Sequence, residues 1–162
     1  MHVNDEAREE LLNEVEALSD EALNQKPSKD EWSIKQILEH LFLMERAIAE
    51  IMKDQLENGE VQTAKTKPIE ATVKRIVKVP APEFSIPSDD FATLEELKEK
   101  LAMSRQELKS VVENADQHDL ENKAYPHPAF GRMRLSQWIP FVGYHERRHL
   151  LQIKEVKEKL EI

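Results

Sequence analysis

The chain has no cysteine among its 162 residues. That excludes disulfides, a protein thiol nucleophile and any cysteine-based zinc site. Thiol chemistry would need a thiol brought in by a small molecule. Glycine is scarce, at 3 residues, and aromatic side chains make up 6%. So few glycines, with 34% charged residues, favour helices. No apolar run approaches the ~20 residues of a membrane span. The opening Met1-His2-Val3-Asn4-Asp5-Glu6 lacks the basic-then-apolar order of a signal peptide. A soluble cytoplasmic protein with no membrane partner is expected. Positive charge is short too: 23 Lys and Arg face 32 Asp and Glu, a net charge of −9. Such a chain repels phosphate backbones. Its best basic run, Lys74-Arg75 with Lys78, is too sparse to suggest a nucleic-acid partner.

The length suits one domain, residues 1–162. Ala7, Leu11, Val15 and Leu18 recur at helical spacing, predicting a first helix from about Asn4 to Asp20. Ser33 followed by Gln36 reads as a capping box. It opens a second helix that runs to about Asn58, with Gly59 placed as its C′ residue. Residues 60–92 show no clean period and are punctuated by Pro68, Pro80, Pro82 and Pro87. Within them Thr72 to Val79 fits either a short strand or a helical turn. A connection this long suits a crossover spanning a bundle. Thr93 and Glu96 form a second capping box, for a third helix to about Asn114. Tyr125 to Gly131 reads as a loop, and Ser136 opens a fourth helix, with Pro140 distorting its first turn. The fold class is therefore all-α: a four-helix bundle with a long crossover between helices two and three.

The chemistry concentrates in His145-Glu146-Arg147-Arg148-His149. Histidines four apart share one helix face, about 6 Å apart along the axis. Both lie beside Val142, Ile153 and Val156, so they face inward. Two neutral imidazoles on a buried face compete for partners, and a shared cation removes that conflict. His40, near Met44 and Ile51, sits at the border of the second helix's apolar stripe. Taken alone, it also fits a core-edge histidine bonded to a carbonyl. If all three converge, three neutral ligands leave metal positions open for water or substrate, as catalytic sites do.

The same five residues match the His-Glu-x-x-His pattern of zinc proteases. Only 13 residues follow His149, none a histidine, so the usual downstream third ligand is missing. Glu146 keeps three readings: general base, a carboxylate behind a ligand histidine, or an ion pair with an arginine. His127, in a Pro-bounded loop, is a candidate to cap the site or supply a proton. Trp32 and Trp138 read as packing anchors, Arg147 and Arg148 as surface ion pairs or anchors for an acidic group, and His2 and His118 as surface residues.

Three segments together resemble the DinB-like family, which includes bacterial YfiT-type proteins. They are Trp32-Ser33-x-x-Gln36-x-x-x-His40-Leu41, His127-Pro128-x-x-Gly131, and His145-x-x-x-His149-Leu150-x-Gln152-Ile153. They occur in the family's order and span most of the chain. The resemblance implies a four-helix bundle, often a homodimer. It also implies a divalent metal, often zinc or nickel, held at positions matching His40, His145 and His149. It further suggests that Gln152 holds a ligand histidine or a backbone group. Characterised relatives include transferases and isomerases that use bacillithiol, mycothiol or glutathione. The leading expectation is a metal-dependent S-transferase acting on a small-molecule substrate with a low-molecular-weight thiol such as bacillithiol. A hydrolase using a metal-bound water, with Glu146 as base, is the first alternative. A non-catalytic metal-binding bundle is the second.

Overall fold

The computed structural model describes residues 1–76 and 78–162. Among the described residues, six α-helices and one hairpin follow one another: α1 (His2–Val15), α2 (Asp20–Asn24), α3 (Ile34–Asn58), α4 (Leu94–Glu113), α5 (Gln117–Asn122), β1 (Ala124–His127), β2 (Gly131–Arg134) and α6 (Leu135–Leu160). The four long helices form a bundle in which α1 and α3 both pack on α6 and α4 packs on α3. The α3–α4 crossover contributes two 3₁₀ turns, Ile69–Val73 against α6 and Glu83–Ser85 against α3.

Local chemistry sets the element ends. At α3, Ser33 Oγ accepts from the Gln36 N–H and the Gln36 side chain accepts from the Ser33 N–H. At α4, Thr93 and Glu96 repeat the exchange. Both pairs satisfy N–H groups that the helix itself leaves orphaned. The first helix ends earlier than its apolar period suggests. It stops at Val15, and Ser19 caps the separate short α2 by accepting from the Ala22 N–H. Gly59 does follow α3, but with extended backbone (φ −73°) instead of a left-handed cap. Its use is steric: a Cβ there would lie 2.5 Å from the Gln55 carbonyl oxygen. In the span from Thr72 to Val79, residues 72 and 73 close a 3₁₀ turn, and Val77 lies outside the described residues.

The largest departure is at 124–134. The expected loop is a two-stranded antiparallel hairpin, pairing Tyr125 with Met133 and His127 with Gly131. Gly131 has φ 71°, a left-handed conformation that suits glycine. Pro126 is tolerated because both strands of a two-stranded ribbon are edges. Helix α6 begins at Leu135, one residue before the expected Ser136, and runs through Pro140. There Asn4 of α1 is spliced into it: Asn4 Nδ2 donates to the Ile139 carbonyl (2.8 Å), and Asn4 Oδ1 accepts from the Gly143 N–H. Gly143 allows the approach, since a Cβ would meet the Asn4 backbone nitrogen at 3.0 Å.

Two apolar clusters fill the bundle. One gathers Leu11, Ile34, Ile37, Leu97 and Ile153, and the other Met52, Leu108, Met133, Leu135 and Phe141. Among the described residues, no helix is long and apolar enough to cross a membrane.

Candidate metal centre

His40 projects from α3, and His145 and His149 project from successive turns of α6. One ring nitrogen from each lies within 4.8 Å of the other two. The Nε2 atoms of His145 and His149 are 3.1 Å apart. Ring centroids are 5.2 Å apart for His40 and His145 and 4.7 Å for His40 and His149.

Two of the rings are fixed by outer bonds. His40 Nδ1 lies 2.8 Å from the Ser85 carbonyl oxygen, which only accepts, so the proton sits on Nδ1 and the Nε2 lone pair is left over. His149 Nδ1 donates in the same way to Gln152 Oε1 at 2.8 Å. This is the pattern of metal-ligating histidines, whose far nitrogen is held by a carbonyl or amide. Burial is the main cause that lowers the pKa of each ring. His149 falls to about 3, with a further push from His40, and His145 falls well below its ordinary value, with pushes from His149 and His40. All three are therefore neutral near pH 7, the state a metal requires.

The donor set fits a divalent ion. Tetrahedral ligation at about 2.05 Å places ligand nitrogens about 3.3 Å apart, close to the 3.1 Å of the α6 pair. A charged ring in this trio would face its neighbours across an apolar wall. A shared cation resolves the two facing lone pairs instead.

The trio opens on a cavity of about 990 Å³. Met44, Ile48, Phe130, Trp138 and Phe141 line its apolar part. Phe141 stacks on His145 at 5.7 Å, and Trp32 lies tilted against His40 at 5.0 Å; both tryptophans border the cavity as well as packing. The crossover covers one side, bringing Thr72, Lys74, Arg75 and Lys78 to the mouth. Arg148 also faces this side and donates to the Thr72 carbonyl at 3.1 Å. Arg75 pairs with Glu155, and Lys159 with Glu31. His127 lines the cavity from the hairpin.

Glu146 is elsewhere. It is 2% exposed and does not line the cavity. Arg8 holds one carboxylate oxygen at 2.6 Å and Arg105 the other at 3.2 Å. Glu45 completes the buried quartet, bonded by Arg8, Arg105 and Ser104. The ion pair with arginine is present, and Glu146 is not among the residues lining the cavity: adjacent helix positions point about 100° apart, so Glu146 faces α1 and α4 while His145 faces the cavity. Arg147 makes surface pairs with Glu6 and Glu10. His2 and His118 are exposed. Sequence reasoning missed Ser85, whose carbonyl orients His40 from across the crossover. No side-chain pattern announces a backbone carbonyl.

The sequence profile of the DinB superfamily matches residues 4–153. The chain belongs to the DinB superfamily. The Bacillus subtilis (strain 168) protein YuaE, described as uncharacterized, is 38% identical over 161 residues, 99% of each chain. Two solved structures share the fold of this DinB chain. TT2238, a four-helix bundle protein, superposes with a TM-score of 0.64 at 19% identity, over 95% of this chain and 94% of its own. YfiT from Bacillus subtilis superposes with a TM-score of 0.61 at 15% identity, over 99% and 85%. YfiT is described as a probable metal-dependent hydrolase with an unusual four-helix bundle topology.

Proposed function

We propose that this DinB-superfamily chain is a divalent-metal enzyme that transfers a low-molecular-weight thiol, such as bacillithiol, to a small electrophile. One observation carries the reading. A trio of neutral imidazoles converges on the wall of a 990 Å³ cavity, in a chain with no cysteine of its own. His40, His145 and His149 would hold the ion, with zinc and nickel both suited to imidazole nitrogen. The bound ion would supply the Lewis acidity that turns a thiol into a thiolate at neutral pH.

The chain's own residues do the rest. Ser85 and Gln152 fix the ring orientation of His40 and His149, and so which nitrogens face the cavity. Trp32 and Phe141 cover two of the rings and keep bulk water from them. The cavity is large enough for a thiol and an electrophile side by side, since ligand pockets run from about 300 to 1,000 Å³. Glu146 is engaged by two arginines and is not among the residues lining the cavity, which favours chemistry that does not use it as base.

Metal analysis of the purified chain and its His40→Ala, His145→Ala and His149→Ala variants tests the centre. One divalent ion per chain, lost in each variant, is expected. The metal-loaded chain is then assayed for thiol consumption with panels of cellular thiols and electrophiles. No transfer in any combination would refute the reaction. A second reading, hydrolysis, is favoured by the description of YfiT. Ester or amide turnover without added thiol would select it.

A further inference from the structure

His127 is oriented more tightly than an incidental lining residue. Its Nδ1 accepts from the Ala129 N–H at 3.0 Å and the Phe130 N–H at 3.2 Å. A nitrogen that accepts carries no proton, so the neutral ring keeps its proton on Nε2. No described residue bonds that Nε2–H. Nor is it sealed away, since Thr72 Oγ1 is the one buried side-chain polar atom without a partner among the described residues. The Nε2–H therefore opens on the cavity that His127 lines. The ring itself is clamped: Phe141 at 4.7 Å, Phe130 at 4.9 Å and Trp138 at 5.3 Å surround it. Burial lowers its pKa to about 4, so it stays uncharged near neutrality.

This side chain is a donor of unusual constancy. It carries no positive charge to attract an anion, and its surroundings are aromatic. A neutral donor in an apolar wall matches a neutral acceptor, because an unpaired carboxylate there would be left poorly solvated. Phe141 touches His127 on one side and stacks on His145 at 5.7 Å on the other. A single phenyl ring thus spans the gap from donor to candidate metal centre.

We propose that His127 is a substrate-orienting residue. Its Nε2–H donates a fixed hydrogen bond to the carbonyl oxygen of a planar, apolar electrophile lying along Phe141 and Trp138. This deepens the reading of the cavity as a reaction site and rests on it. It replaces proton delivery with hydrogen bonding, because Nδ1 is committed to its own hairpin.

The test needs no turnover. The purified full chain is titrated with acetophenone and with α-methylstyrene, which replaces the carbonyl oxygen by a methylene. Quenching of tryptophan fluorescence reports binding, since Trp32 and Trp138 both line the cavity. His127→Phe keeps the aromatic clamp and removes the donor. It is expected to weaken acetophenone about fivefold, the worth of one net hydrogen bond, and to leave α-methylstyrene within about twofold. His127→Gln, which offers an amide N–H, is expected to recover part of the loss. Thermal melts of both variants establish that each is folded.

The acetophenone preference is expected to be the same at pH 8 and pH 5.5. Equal weakening of both probes by His127→Phe would reduce His127 to packing and overturn the proposal. So would no weakening of either, or a preference that grows on acidification. Failure of thiol transfer would leave this binding difference intact, so the two readings fail separately.

Discussion

Acidifying the metal-free protein is expected to destabilise it through His149 by a calculable amount. The unfolded imidazole titrates near 6.5, and burial lowers the folded value to about 3. A depressed histidine pKa means that the unfolded chain binds the proton first as pH falls. Stability is therefore lost from about pH 6.5 downward and levels off only near pH 3. Between pH 7 and pH 5 protonation of this residue in the unfolded state rises from about one quarter to nearly complete, while the folded state refuses the proton. Integrating that difference gives about 2 kcal/mol. At roughly 2–4 °C per kcal/mol for a chain of this size, the melting point should fall by about 4–8 °C from this residue alone. Only 8% of His149 is exposed, so solvent screening takes little from the figure.

Other carboxylates and histidines titrate in the same window, so the assay must be a difference. Urea unfolding of chelator-treated wild type and His149→Leu is compared at pH 7, 6 and 5. The variant has its own constant cost, from the cavity and from the loss of the bond to Gln152, and that constant cancels. The stability of wild type relative to the variant should drop by about 2 kcal/mol across the range. Parallel loss in both proteins would refute the claim that His149 is held neutral by its surroundings.

Saturating metal should act oppositely. At one hundred times its dissociation constant, zinc should add about 2.7 kcal/mol to wild-type stability. That gain, read by thermal melts, should vanish in His40→Ala and His145→Ala. Glu146→Ala should cost about 3–5 kcal/mol in urea unfolding, because Arg8 and Arg105 lose a buried counter-charge. If Glu146 were merely on the surface, the cost would be within about 0.5 kcal/mol. Ser33→Ala should cost about 0.5–2 kcal/mol by losing the cap on Gln36.

The bundle was legible where one strong local signal sufficed. Ser33 with Gln36 and Thr93 with Glu96 mark helix starts because the bonds they make are short-range, written within four consecutive residues. The i,i+4 histidine pair was legible for the same reason. The hairpin was not. Its strands are four residues each, too short for a period, and Pro126 argues against a strand unless the ribbon is all edge. The fate of Glu146 was decided by Arg8, which lies 138 positions away in sequence. The Asn4 splice at Pro140 likewise joins distant parts of the chain. The family resemblance brought His40 into the centre, where its position at a stripe border left it ambiguous. Convergence became visible only with the helices in place.

The two walls of the histidine trio come from distant parts of the chain. About two thirds of the chain separates His40 from His145. Until α6 has been made, a growing polypeptide owns one imidazole of the set. The trio is complete only once α6 has packed beside α3. An ion held by all three would therefore join a bundle whose long-range packing is already in place.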